Sequence, residues 1–268
     1  MEEAKKLLDA GDLSGAVESI LNFVRSNPTD IPARIFLFEL SCFAGDWDRA
    51  EKQLDVIGHQ DPQAAIGSLI YRQNFKAEKD RARYFSDSLQ PGILAPPPPY
   101  VENLIKANNR IREGNTAEAR GILDNIEEER PAFKAMVNGR EVSDFRDYND
   151  LTMCIFEVIF KDQYVWLPME QISSINFFKP KSLRDLFWIQ AEIELVEGTK
   201  GEMFIPSLYC NSWKHDDDQV RLGRKTDWHD LGDDIFVGAG TRLYWMDGED
   251  RSVFELETIE FEHEDTGE

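Results

Sequence analysis

Cysteine is nearly missing from this chain: Cys42, Cys154 and Cys210 stand far apart among 268 residues. Three scattered thiols do not make the framework of a secreted disulfide-stapled domain, so the cytoplasm is the expected compartment. The N-terminus "MEEAKKLLDAGDL" is acidic and amphipathic, unlike a secretory signal with its basic start and apolar core. No apolar run approaches the ~20 residues that span a bilayer. Histidine is scarce too, with four in all. Positive charge is in deficit: 51 acidic side chains face 30 basic ones, a net −21. A surface of that sign repels phosphate backbones and anionic lipids, which argues against nucleic-acid and membrane partners. It attracts a basic partner surface, or simply keeps the protein soluble. Motifs for chemistry are lacking as well: there is no G-x-S-x-G elbow, Walker loop, H-E-x-x-H helix or dinucleotide fingerprint.

What is present is an internal repeat. "AGDLSGAVESILNFVRSNP" (10–28), "AGDWDRAEKQLDVIGHQDP" (44–62) and "EGNTAEARGILDNIEEERP" (113–131) superpose. Each opens on Gly (Gly11, Gly45, Gly114) followed by Asp or Asn. Each then carries a small Ala (Ala16, Ala50, Ala119), an aliphatic residue (Ile20, Leu54, Leu123) and a closing Pro (Pro28, Pro62, Pro131) at matched offsets. The first two glycines lie one tetratricopeptide period of about 34 residues apart, and the third follows about two periods later. A worn copy is therefore expected near Lys79, with Tyr84 in the place of Ala and Pro96 at the closing offset.

The motif has a physical reading. Gly ends one helix in the left-handed conformation, and Asp or Asn caps the next. Ala lets the paired helices approach, and Pro stops the second one. Trp47, where the other copies carry Leu13 and Thr116, is expected to wedge the second pair against its neighbour. Cys42, on an apolar helix face beside Phe43, reads as an inert core thiol.

Residues 1–134 thus read as a tetratricopeptide-like stack of antiparallel helical pairs, an architecture that offers a concave face to a peptide or helix. In that register Ile35, Glu39, Leu69, Gln73, Leu104 and Asn108 face the groove. The tetraproline of "APPPPY" (95–100) reads as a stiff connector ahead of the helix at 101–113.

Residues 140–268 have a different texture, with short β-branched and aromatic runs between Gly, Pro, Asn and Asp. Strands are expected at 152–160, 163–168, 172–179, 187–196, 201–209 and 241–246. The stretch at 252–262 suits a last strand, although its spacing also permits a helix. "VGAGTR" (237–242) reads as a turn between strands, and the tail "EDTGE" as a frayed end. The fold class is multidomain α plus β: helical repeats followed by a mainly antiparallel, barrel-like α+β domain.

Cys210, His215 and His229, around "HDDD", are the best metal candidates, but they lack the paired spacing of structural zinc, and a solvated acidic loop is favoured. No cofactor is expected. "SLRDLFW" (182–188) and "RLGRKTDWHDLG" (221–232) combine Arg, Asp and Trp. That composition pins loops to a core or, less often, anchors a partner.

The order of motifs resembles one family. "ARIFLFELSCFAGDWDRAEKQLD" (33–55) is similar to its R-x-x-L-x-E-L-x-x-F-x-G-D-W-x-R-A-x-x-Q-L pattern. "YRQNFKAEKDR", "YVWLP", "LRDLFW", "GEMFIPSLY" and "RLGRKTDW" follow in the family's order. This is the ImpE family, also called TagJ, the accessory proteins of bacterial type VI secretion. The resemblance implies a non-enzymatic cytoplasmic protein without a small-molecule substrate. The partners it implies are the N-terminal helix of the contractile sheath's small subunit and the sheath-recycling ATPase. Carried onto the groove register, that role makes Glu39, Gln73 and Asn108 the expected polar contacts, and Ile35 and Leu104 the apolar ones. The competing readings are a metal-dependent or other hydrolase with its site in the β domain, and a chaperone-like regulator that shields a partner.

Overall fold

A computed structural model describes residues 1–87 and 89–263; the frayed end expected at 264–268 lies outside them. Helices α1 (Glu2–Ala10), α2 (Leu13–Ser26), α3 (Ile31–Phe43), α4 (Trp47–Gln60) and α5 (Ala65–Asp87) come first. Strand β1 (Gly92–Ile93) follows, then helices α6 (Pro99–Arg112) and α7 (Thr116–Glu129).

The repeat motif behaves as its chemistry requires. Gly45 has φ 69°, and the next N–H, of Asp46, reaches back to the Ser41 carbonyl at 3.0 Å; Asp12 to Leu7 and Asn115 to Arg110 make the same closing bond. The Asp12 and Asp46 carboxylates then accept from Gly15 N at 2.7 Å and Arg49 N at 3.0 Å. Asn115 starts α7 without such a side-chain bond. Ala16, Ala50 and Ala119 are wholly buried where the paired helices touch. Cys42 is buried, donates to the Phe38 carbonyl, and has its thiol pKa pushed well up by burial.

The worn copy near Lys79 is not a pair. α5 runs unbroken through Lys79, which pairs with Glu51 on α4 at 2.8 Å. With Lys in place of Gly, no residue there takes the left-handed turn, so the helix continues. The chain then crosses as β1 and the proline connector, where the Pro96 carbonyl accepts from Gln171 at 2.7 Å, before Pro99 opens α6.

The second half begins with β2 (Ala135–Val137), β3 (Arg140–Val142), β4 (Phe145–Asp147), β5 (Ile155–Phe160) and β6 (Gln163–Pro168). β7 (Ile172–Phe177), β8 (Trp188–Leu195), β9 (Lys200–Pro206) and the short helix α8 (Asp218–Arg221) follow. Last come β10 (Thr226–Asp230), β11 (Phe236–Gly240), β12 (Leu243–Met246), β13 (Glu249–Ser252) and β14 (Thr258–Phe261). The main sheet has the order β1-β6-β5-β9-β8-β7-β14-β2-β3 and is antiparallel except where β1 joins β6. It is an open sheet, not the expected barrel. Its edges are strands of two and three residues, which blunt the sheet without closing it.

"VGAGTR" is largely strand β11, paired with β10; the turn falls before it, where Asp233 and Asp234 have positive φ. The stretch at 252–262 divides into a 3-10 turn (Val253–Glu255) and β14.

β5 is buried on both sides, which explains its nearly unbroken apolar run. One side packs Phe156 on Phe145 and Tyr244 of the small sheet β13-β12-β4, with ring centroids 5.9 and 5.1 Å apart. The other side faces α5, where Tyr84 sits 4.8 Å from Trp166 of β6.

Candidate functional site

The helical stack offers its inner face to the chain's own second half. The "SLRDLFW" turn rises from the sheet into the helices. Phe187 packs edge-on against Phe43 and Trp47, at 5.2 and 5.9 Å, and Trp188 lies 5.4 Å from Phe75 and 6.0 Å from Tyr71. Arg184 donates to Glu39 and to the Tyr71 hydroxyl, both at 2.9 Å. Trp47 thus wedges against its neighbouring helix, through Phe75 at 5.8 Å, and against this turn as well.

Beneath lies a buried ionic network. Arg81 of α5 donates through Nε and Nη2 to the two oxygens of Glu157 on β5, at 2.8 and 3.1 Å, and through Nη2 to the Leu208 carbonyl at 2.9 Å. Arg242 bridges Glu157 and Asp147, and Tyr164 donates to Glu157 at 2.7 Å. Asp147 also accepts from Thr152 and Tyr209. Burial works to raise the Glu157 pKa, but Arg81 and Arg242 outweigh it and hold the carboxyl well below the usual range. At Asp147 burial wins over Arg242, and the pKa rises. Glu78 completes the set, accepting from Trp188 Nε1 at 3.1 Å. The sequence reading missed these residues, yet a Glu in the middle of "CIFEVIF" is a visible signal: a carboxylate there must find buried partners.

The Arg/Asp/Trp loop at 221–232 and its surroundings fasten the outer pairs. Asp218 accepts from Leu13 N at 2.8 Å, capping α2 a second time, while Arg224 donates to the terminal carbonyls of α1. Gly45 lies against Trp213, whose ring would stand 2.4 Å from an added Cβ. Thr116, at the start of α7, donates to Asp233 at 2.6 Å.

This packing redistributes the expected groove residues. Leu104 and Asn108 are buried inside the chain, Asn108 donating to Tyr84 at 2.9 Å and Leu151 O at 3.0 Å. Glu39 is buried and paired. These three make their contacts within the chain, whereas Leu69 of the same register is left in solvent. Ile35 and Gln73 keep part of their surface. Gln73 sits one turn beyond Leu69 and Ile70 and two beyond Ile66, and the exposures of these three, 57%, 38% and 73%, mark an apolar stripe on α5. Glu39→Lys is accordingly a stability variant. It should cost about 2–4 kcal/mol in urea unfolding, somewhat below a fully buried pair because Arg184 retains solvent contact. An unchanged midpoint would contradict the pairing.

Between α5, α6 and the β10–β11 ribbon lies a cavity of about 460 Å³, lined by Phe85, Asn108, Ile111, Leu151, Tyr209 and Val237 among others. Cys210, His215 and His229 come together around it. Burial raises the Cys210 thiol to about 12, far from a nucleophile's range. His215 Nδ1 accepts from Asp217 N, which leaves Nε2 to donate to Asp227 at 3.1 Å. Among the described residues no group of three or more His, Cys, Asp or Glu converges on a common point for a metal.

Comparison with known proteins places this geometry. A Pseudomonas aeruginosa protein named type VI secretion system accessory component TagJ is 33% identical over 98% of this chain and 92% of its own length. The chain belongs to the ImpE family. The ImpE protein family model matches residues 139–260, and a tetratricopeptide repeat model matches residues 3–70. The crystal structure of a Vibrio parahaemolyticus protein superposes with a TM-score of 0.89 at 23% identity, covering 97% of this chain and 98% of that one, so the whole fold is shared. The ImpE match holds the β-half anchors of the seam: Arg184, Trp188, Trp213, Asp218 and Arg242. Leu13, Glu39 and Gly45, which meet Asp218, Arg184 and Trp213, fall in the tetratricopeptide range, whereas Tyr71, Phe75 and Glu78 of α5, which meet Trp188, fall in neither range.

Proposed function

We propose that this chain is a non-enzymatic cytoplasmic accessory protein of type VI secretion that captures an amphipathic helix from another secretion component on the outer rim of its helical stack. In this reading residues 1–134 and 140–268 are two domains fastened face to face. The observation that carries it is the stripe Ile66, Leu69, Ile70 and Gln73: three large apolar side chains left in solvent on one face of α5. Leu69, Gln73 and the half-covered Ile35 of α3 are the groove-register residues that keep accessible surface; Glu39, Leu104 and Asn108 support the stack from within. The N-terminal helix of the sheath's small subunit is the first partner to test, and the sheath-recycling ATPase the second. A net charge of −21 favours a helix with a basic flank.

The test is fluorescence anisotropy of a labelled peptide of that sheath helix with the full chain and with Leu69→Lys/Gln73→Lys. Two polar replacements at the centre of an apolar contact should weaken binding at least about tenfold. Circular dichroism should not change, since Leu69 is largely in solvent. Undiminished affinity would move the partner to another surface, and no binding by either chain would point to the ATPase arm.

A further inference from the structure

We infer that the cavity between the helices and the β10–β11 ribbon is a binding site for a small molecule with an apolar body and a head that carries N–H donors. Its volume, about 460 Å³, falls in the range of ligand pockets, roughly 300–1,000 Å³. Phe85 and Ile111 from the helices and Leu151, Val237 and Ala239 from the strand half supply apolar walls.

Two buried amides set the chemistry of the head group. Asn108 and Asn149 line the cavity, 2% and 6% exposed, and the Oδ1 atom of each has no partner. Their orientations are fixed by their nitrogens. Asn108 Nδ2 faces the Leu151 carbonyl, which can only accept, so a flipped amide would set oxygen against oxygen. Asn149 Nδ2 faces Thr152 Oγ1 at 3.2 Å, and that hydroxyl has spent its hydrogen on Asp147. Both free atoms are therefore acceptors. An unpaired buried acceptor is costly, so a guest that brings two N–H groups is favoured over one that brings further oxygens. Glu157 also lines this cavity, with its carboxylate held by Arg81 and Arg242. The lining carries charges of both signs, Lys214 and Arg112 with Asp216 and Glu157, and the long-range field of the acidic chain favours a neutral or cationic guest. An amine, amidine or primary amide on an aromatic or aliphatic body meets these demands. The site shares no residue with the α5 stripe, so it stands or falls independently of partner capture.

The probe is benzamidine, compared with acetophenone, which has a similar body but no N–H donor. Calorimetric and ligand-observed NMR titrations of the full chain should show saturable benzamidine binding, at least about tenfold tighter than acetophenone. Val237→Trp, which fills the cavity from β11, should abolish it, with Ala239→Leu as the second filling variant if the first does not fold. Asn149→Leu should bring benzamidine down to the level of acetophenone. Three results would overturn the inference: no saturable binding (a water-filled cavity only), equal binding of the two probes, or full binding to a folded cavity-filled variant.

Discussion

Arg242→Met should destabilise the protein by about 3–5 kcal/mol at neutral pH, because it strips the shared cation from two buried carboxylates. Arg242 and Asp147 are wholly buried, and Glu157 almost so. Arg81 still holds Glu157 in the variant, but Asp147 is left with Thr152, Tyr209 and the Asn149 amide. In a chain of this size the loss should appear as a fall of roughly 10 °C in the thermal midpoint.

The pH dependence gives a sharper signature. Glu157 is held below its ordinary pKa, so in the wild type it contributes stability above the normal carboxylate range and loses it as pH falls. Asp147 is already raised by burial, and removing Arg242 raises it further. A group raised in the folded state binds its proton more readily there, so the variant recovers as pH falls. The gap between wild type and variant should thus be widest near neutrality and shrink below about pH 5. A gap independent of pH would mean that Arg242 acts through packing alone.

Trp188→Ala should cost about 3–5 kcal/mol as well, the usual range for emptying a large buried aromatic site. Its ring joins Phe75 and Tyr71 of α5 to Phe187 of its own turn, and its Nε1 occupies Glu78. Glu78 also pairs with Arg81, so this variant and Arg242→Met act on one connected network. Their combined effect in guanidinium unfolding should depart from additivity by more than about 0.5 kcal/mol. Strict additivity would show the aromatic and ionic parts of the seam to be separate. Loss of either part should also broaden the unfolding transition, as the helices and the sheet cease to melt together.

Much of the architecture is legible without coordinates, for local reasons. Gly45, Asp46 and Ala50 carry their conformational and packing demands within a few residues, so the hairpins announce themselves. Strands β5 to β9 are readable because their burial leaves a local mark, an unbroken apolar run in β5 and β6 and an alternation in β8. β2 to β4, β10 and β13 escape notice because they are short and half polar, and pairing partners far along the chain hold them in place. Trp47 shows both sides: its oddness is visible in the repeat, while its contact with Phe187 spans the whole fold.

The groove was the harder matter. Helical register is a property of the helix alone, and on that ground Ile35, Glu39, Gln73, Leu104 and Asn108 are expected towards one side of the stack. Whether that side meets solvent depends on what packs upon it, and this is set by residues far along the chain: Arg184 meets Glu39 across 145 residues, and Leu151 meets Asn108 across 43. Burial is a nonlocal quantity, and so is the pairing of a charge. Glu39 and Asn108 look like contacts awaiting a partner until the second half of the chain arrives as that partner. What it leaves uncovered, the α5 stripe and the amide-floored cavity, emerges from the packing of the two halves.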